Sequence, residues 1–315
     1  MANMFSSLFS NSRNKKMAIV IVATAALLVV ALLSLAIVSI VNAIRTRTPD
    51  EEPDPTPSNG IPAGYVSTTF AENQLYCGNL ILVNDTYSYH MDANVGVEKV
   101  TIQNGRAKLD GAALYSSNAT QTPVQKEALD ALNTMLLDFY EASGDDNIWV
   151  NLGQNGAATG IYAAGNTFDL NYTTGEEGAP KPAISESSTY NWIFTNAHKY
   201  GFVQYFPAVE KDADTDTDTE AVSREHIFRY VGVVHAQVMK DKKIDGFEAY
   251  LTYLRESTSA SKNVSVTVEK KAYKVYYIGK DAQQIVPEKY KDAYTVSGDN
   301  MSGYIVTYCT TTTKK

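Results

Sequence analysis

Few residues in this 315-residue chain can do chemistry: it holds four histidines and two cysteines, and its one dense set of carboxylates is Asp212, Asp214, Asp216, Asp218 and Glu220, alternating with Ala and Thr. Such carboxylates could ligate calcium. The glycine that turns an EF-hand loop is missing, however, and a polar acidic run of this kind is expected to be solvated. Cys77 and His90 are 13 positions apart, which is no argument for a thiol nucleophile. His90 and His198 have no ligand-type neighbours in sequence and read as surface or packed residues. The chain has no Gly-x-Ser-x-Gly elbow, no Ser-x-x-Lys with its partner motifs, no P-loop and no His-Glu-x-x-His.

Any such residues must be positioned by what surrounds them. Met17 to Ile44 carries no charge and is almost wholly Ala, Val, Leu and Ile. A bilayer core needs roughly 20 apolar residues at helical rise, so residues 17–44 are expected to be an uncleaved single-pass membrane anchor. Arg13, Lys15 and Lys16 precede the run, Arg45 and Arg47 follow it, and the next segment is acidic. That bias is expected to leave residues 1–16 in the cytoplasm and the rest of the chain outside. Residues 45–64 hold five prolines among Asp, Glu, Thr and Ser, the composition of an extended stalk. Beyond residue 47 there are 22 basic against 35 acidic residues, a net charge of −13 with no basic cluster, which excludes a nucleic-acid partner. Cys77 and Cys309 lie near the ends of the outer domain, and a disulfide and two buried thiols fit equally.

Within residues 65–315, Asn79 to Val83 and Lys99 to Gln103 read as strands. A helix is expected from Thr122 as N-cap, with Pro123 at the first helical position and Gln125 completing a capping box. Val124, Ala128, Leu132, Met135, Leu136 and Phe139 share its apolar face and Gly144 ends it. Further helices are expected over 190–199, 228–240 and 246–255. The pattern then alternates: Val264, Val266 and Val268 form one strand, Tyr273, Val275 and Tyr277 its neighbour, and Tyr304 to Tyr308 the last, after the turn Ser297-Gly298-Asp299-Asn300. The class is α+β, with helices packed on a small antiparallel sheet.

Several blocks in this order resemble the VanY-like D-alanyl-D-alanine carboxypeptidases, zinc metallopeptidases that trim the stem peptides of bacterial peptidoglycan. The resemblance runs through Leu82-Val83-Asn84, the helix Ala128 to Tyr140, Tyr190-Asn-Trp-Ile-Phe-Thr-Asn-Ala-His-Lys-Tyr-Gly-Phe202, Phe228-Arg-Tyr-Val-Gly-Val-Val-His-Ala236 and Ser297-Gly-Asp-Asn-Met-Ser-Gly-Tyr-Ile-Val-Thr307. It implies a carboxypeptidase (LAS-type) fold. In that family Ser-x-His-x-x-Gly-x-Ala-x-Asp gives a His and an Asp to zinc, and Glu-x-Trp-His gives the general base and a second His. Three ligands and an open position for water are what a catalytic zinc needs.

Here the first motif falls on Gly160-Ile-Tyr-Ala-Ala-Gly-Asn-Thr-Phe-Asp169. Gly165 and Asp169 match, and Tyr162 replaces the first His. In the second motif Ile227 replaces the His, His226 the Trp and Arg224 the Glu. The family's Ser-Gly-Tyr-Arg-Ser, whose Arg helps bind the substrate carboxylate, corresponds to Leu152-Gly153-Gln154-Asn155-Gly156, with Asn155 at the Arg. The resemblance therefore implies a degenerate member in which no cofactor is expected, because one carboxylate cannot hold zinc against water. Tyr162, Asn155 and Arg229 are the candidate substrate contacts, and Asp169 is the remnant ligand, free to bond a turn or to pair with Arg229. Tyr162, Trp192, Tyr200 and Tyr205 are aromatic candidates for a residual groove. The expected partners are the membrane and either peptidoglycan stem peptide or a cell-wall protein. The alternative is an active carboxypeptidase whose zinc is held by Asp169 and His226, with Glu225 as base. A third reading is a purely structural part of an envelope assembly.

Overall fold

The chain from Lys126 to Ser143 is helical (α1) because its apolar side chains recur at helical spacing: Ala128, Leu129, Leu132, Met135, Leu136 and Phe139 are all buried. Burying each large one contributes about 1.5–3 kcal/mol. Gly144, at φ 71°, ends α1 in the left-handed conformation and returns its N–H to the Tyr140 carbonyl. The start differs from the expected one. Pro123–Gln125 is a short strand paired with Lys99–Thr101, and the helix begins after Gln125. The Thr122 hydroxyl is not a cap, since it donates to Gly156 O at 2.5 Å, and the Gln125 side chain reaches Ala164 O at 3.0 Å. Strand pairing and long-range bonds outweigh the local capping signal.

A computed structural model describes residues 60–153, 155–172, 184, 187–207 and 224–311, all within one compact unit, Pro57–Lys315. The apolar run 17–44, most of the stalk and the acidic run 212–220 lie outside them. Among the described residues no helix is long and apolar enough to cross a membrane.

The strands β1 (Ile148–Asn151), β2 (Thr167–Tyr172), β3 (Phe202–Gln204) and β4 (Ile227–Tyr230) form an antiparallel sheet in the order β1-β2-β4-β3. The two-residue period of the strands divides it into two faces. Ile148, Val150, Phe168, Leu170, Phe202, Phe228 and Tyr230 pack with α1 in one core. Asn151, Thr167, Asp169, Ile227, Arg229 and Val203 share the other face, as their register requires. On that side Val203 and Ile227 join a second core with helices α3 (Val233–Lys242) and α4 (Phe247–Ser257). The segment expected as one helix over 190–199 is α2 (Asn191–Asn196) followed by a 3₁₀ turn, Ala197–Tyr200, closed by Gly201.

The helix expected from Phe228 is instead strand β4, and α3 begins only after Gly232, whose φ of 83° breaks the chain direction. A short apolar run has no period of its own, so pairing with β2 decides it. Asn79 to Val83 is likewise no strand: its carbonyls are taken by side chains, including Arg229 to Asn79 and Ile81 and the Tyr205 hydroxyl to Val83.

A second antiparallel sheet is formed by β5 (Val264–Val268), β6 (Lys271–Gly279), β7 (Tyr294–Gly298) and β8 (Gly303–Cys309), ordered β5-β6-β8-β7. The Asp299 carboxylate ties the β7–β8 turn by accepting the N–H groups of Met301, Ser302 and Gly303. A side chain at Gly298 would place its Cβ 1.9 Å from Leu75 O, so only glycine fits where the N-terminal segment crosses β7.

Candidate functional site

Asp169 lies on the β2 face away from α1, directly opposite Ile227 on β4 and Asn151 on β1. It is a buried carboxylate, 6% exposed. Its Oδ1 accepts the Tyr162 hydroxyl at 2.6 Å and its Oδ2 accepts the Gly153 N–H at 3.1 Å. Tyr162 ends the 3₁₀ turn Gly160–Tyr162, and Gly165, at φ 76°, returns the chain into β2 while bonding back to the Tyr162 carbonyl at 2.8 Å. That turn aims the phenol at the carboxylate seven residues on. Gly153 also leaves room for the ring, because a Cβ there would lie 3.2 Å from Tyr162 Cε2.

The structure thus brings together Tyr162, Asp169 and Ile227. His226 and Arg224 are near enough for their charges to be felt: His226 favours ionised Asp169, and Arg224 favours ionised Tyr162. Arg224 also lies over the Phe206 ring at 4.9 Å. Glu225 and His226 are half-buried, and their backbone carbonyls accept bonds from Gln204 and Leu170. Asn155 lies exposed in the turn after β1.

Arg229 shares the Asp169 face but pairs with no carboxylate among the described residues. It is fully buried, donating to Ile81 O at 2.7 Å, Asn79 O at 3.3 Å and Thr167 Oγ1 at 3.4 Å, with Phe247 stacked on the guanidinium at 4.7 Å. Burial pushes its pKa down to about 10. Of the two roles open to Asp169, it takes the bonds to its neighbouring turns, from Tyr162 and Gly153, rather than the pairing with Arg229, which anchors the 79–81 segment. Two further residues carried no signal in the sequence. The Gly153 amide is a backbone donor, and Asn118 holds the same turn by donating to Gly153 O at 3.0 Å.

The remaining candidates serve packing. Both ring nitrogens of His235 are engaged, by Tyr250 Oη at 2.7 Å and Thr307 Oγ1 at 3.1 Å, and burial pushes its pKa down to about 4. His90 stacks on Tyr76, with ring centroids 4.0 Å apart. Trp192 packs near Phe139 and Tyr200, and the Tyr205 hydroxyl is spent on Val83 O, so these aromatics line the core. Cys77 and Cys309 are both free thiols. Cys77 Sγ donates to Ala93 O and Asn73 O, and burial pushes its pKa up.

The donor set does not fit zinc. Among the described residues no three His, Cys, Asp or Glu side chains come together, and Asp169, the expected remnant ligand, already accepts two hydrogen bonds. Ile227 offers no donor atom where an imidazole would be needed. What the arrangement can do is hold a carboxylate. Burial raises the Asp169 pKa, opposed by the Tyr162 bond, the His226 charge and the Gly153 amide. A carboxyl raised above its unfolded value near 3.9 contributes stability that is complete below that value and lost as pH rises through the folded value. Asp169→Asn should therefore gain on the parent as pH rises from about 4. Urea unfolding across that range checks this, and a stability gap constant with pH contradicts it.

No family model matches the chain. A D-alanyl-D-alanine carboxypeptidase of Enterococcus faecium is 28% identical over 254 residues, covering 76% of this chain and 78% of that protein. Among solved structures, the vancomycin-resistance D,D-dipeptidase VanXYg, in complex with a D-Ala-D-Ala phosphinate analogue, matches with a TM-score of 0.54 at 17% identity, over 78% of this chain and 99% of that one. A VanY D,D-pentapeptidase mutant solved with Zn(II) overlaps at a TM-score of 0.31 and 18% identity, over 55% of this chain and 98% of that one. The α+β fold with small antiparallel sheets is thus shared with VanXYg. Over about three quarters of its length the chain is similar to a D-alanyl-D-alanine carboxypeptidase.

Proposed function

We propose that this protein is a membrane-anchored, extracytoplasmic, zinc-less pseudoenzyme of the cell envelope that binds a peptidoglycan stem peptide or a wall partner without hydrolysing it. The observation that supports it most is what surrounds the Asp169 carboxylate. Tyr162 caps the Asp169 carboxylate, and Ile227 faces it without a donor atom. Arg224 stands where the general base is expected, so the proton acceptor for an attacking water is absent as well. The charge-free run 17–44 supports the anchor, and the carboxypeptidase relative supports a wall ligand.

One observation favours the active alternative, namely that the His226 charge acts on Asp169. The test is to titrate the full chain, in detergent and with zinc supplied, with a pentapeptide ending in D-Ala-D-Ala while assaying released D-alanine. Saturable binding without release is expected. Release that disappears in Asp169→Ala and Glu225→Gln would establish the enzyme instead, and neither binding nor release would leave the structural reading.

A further inference from the structure

A cavity of about 310 Å³ lies at β3, the edge strand of the first sheet, between the 3₁₀ turn Ala197–Tyr200, α3 and the turn into α4. Its floor is apolar, built by Phe194, Phe228, Met239 and Ile244, and its rim carries His198, Lys240 and Lys243. The volume is at the low end of ligand cavities, roughly 300–1,000 Å³.

Three features set it apart from a packing gap. First, His198, Lys240 and Lys243 line the same apolar hollow, so two cations and an imidazole border one cavity. Second, burial, Lys240 and Lys199 all act against protonation of that ring, and a backbone bond to Thr195 and the Asp241 charge offset this only in part. Asp241 is itself engaged by the Gln237 amide at 2.7 Å. Third, a positive site is locally unusual in a domain with 35 acidic against 22 basic residues. Lys240 alone would mean little, since a cation in the last turn of a helix complements its carbonyls. Asp245 is the one carboxylate in the described lining and lies on the solvent rim.

We propose that this cavity binds a small amphipathic carboxylate, whose apolar body rests on Phe194, Phe228, Met239 and Ile244 and whose carboxylate is received by Lys240, Lys243 and His198. The charge is the specificity element. An uncharged ligand of the same shape gains only the apolar contacts, while the acid adds charge-assisted hydrogen bonds. The site is separate from the Asp169 cluster and independent of whether the protein hydrolyses peptides.

The test is calorimetric titration of the full chain in detergent with phenylacetate, and with phenylacetamide as the neutral isostere. The acid should bind with a Kd of about 1 mM or tighter and the amide at least about tenfold more weakly. Lys240→Gln, an exposed position that leaves the core intact, should weaken the acid about fivefold or more without changing the amide. His198→Gln, with Asp169→Asn as a control at the other site, separates local loss from general damage. Equal affinity for acid and amide, no binding of the acid at about 10 mM, or binding indifferent to both Lys240→Gln and His198→Gln would each overturn the proposal.

Discussion

The double substitution Tyr162→His and Ile227→His is expected to turn the Asp169 cluster into a zinc site, raising affinity at least about 1,000-fold over the parent, or about 4 kcal/mol. The geometry behind this is specific. The Tyr162 hydroxyl is 2.6 Å from Asp169 Oδ1, and Ile227 is the residue directly opposite Asp169 in the sheet, so two imidazoles would enter beside an existing carboxylate. Two nitrogens and one oxygen with a position left open is the donor set of a catalytic zinc. Either substitution alone leaves two ligands and should gain far less, which makes the effect strongly non-additive. Adding Arg224→Glu would supply a carboxylate where the family keeps its base, and only that triple variant should release D-alanine. Competition against a chelating dye reads the affinities. A folded double variant no better than the parent would mean that the three positions do not converge as Asp169, Tyr162 and Ile227 do here.

The second large effect concerns Arg229. Arg229→Met should destabilise the domain by about 3 kcal/mol, which for a domain of this size lowers Tm by roughly 6–12 °C. Two opposing effects are involved. Removing a buried cation relieves the desolvation that pulls its pKa down to about 10. Against that, the carbonyls of Asn79 and Ile81 and the hydroxyl of Thr167 lose their donor, and Phe247 loses its stacked guanidinium. Unsatisfied buried acceptors cost about 1–3 kcal/mol each, so the loss outweighs the relief. The urea midpoint of the variant measures it, and a change below about 0.5 kcal/mol would show that the 79–83 segment is held by other contacts.

Arg229 also shows where a sequence stops being legible. The type and order of most long elements can be read from periodicity, as with the α1 stripe from Ala128 to Phe139 and the alternation of Val264, Val266 and Val268. Boundaries fail where tertiary pairing outweighs local preference. Thr122 and Pro123 carry every mark of a helix start, yet Val124 and Gln125 are buried in a strand pair, and Phe228 to Tyr230 is a strand because β2 is there to receive it. Asn79 to Val83 has the composition of a strand and none of the pairing, since side chains from Arg229, Tyr205 and Asn300 take its carbonyls.

The candidate site is more legible than the boundaries. The resemblance singles out Tyr162, Asp169 and Ile227 by number, while the cross-strand register that sets Asp169 opposite Ile227 comes only with the fold. What spacing cannot carry is the backbone donor at Gly153 and its support by Asn118, because an amide proton has no residue identity and the contact closes over 16 positions. The fate of Arg229 escapes for the same reason: its partners are backbone carbonyls roughly 150 positions away.

The most direct test of the central claim is the zinc content of the purified full chain after equilibration with zinc and removal of the excess. A capped carboxylate with no imidazole at positions 162 and 227 predicts less than about 0.1 equivalent per chain. One equivalent of zinc that is lost in Asp169→Ala would contradict the account and restore Asp169, His226 and Glu225 as a working metal site.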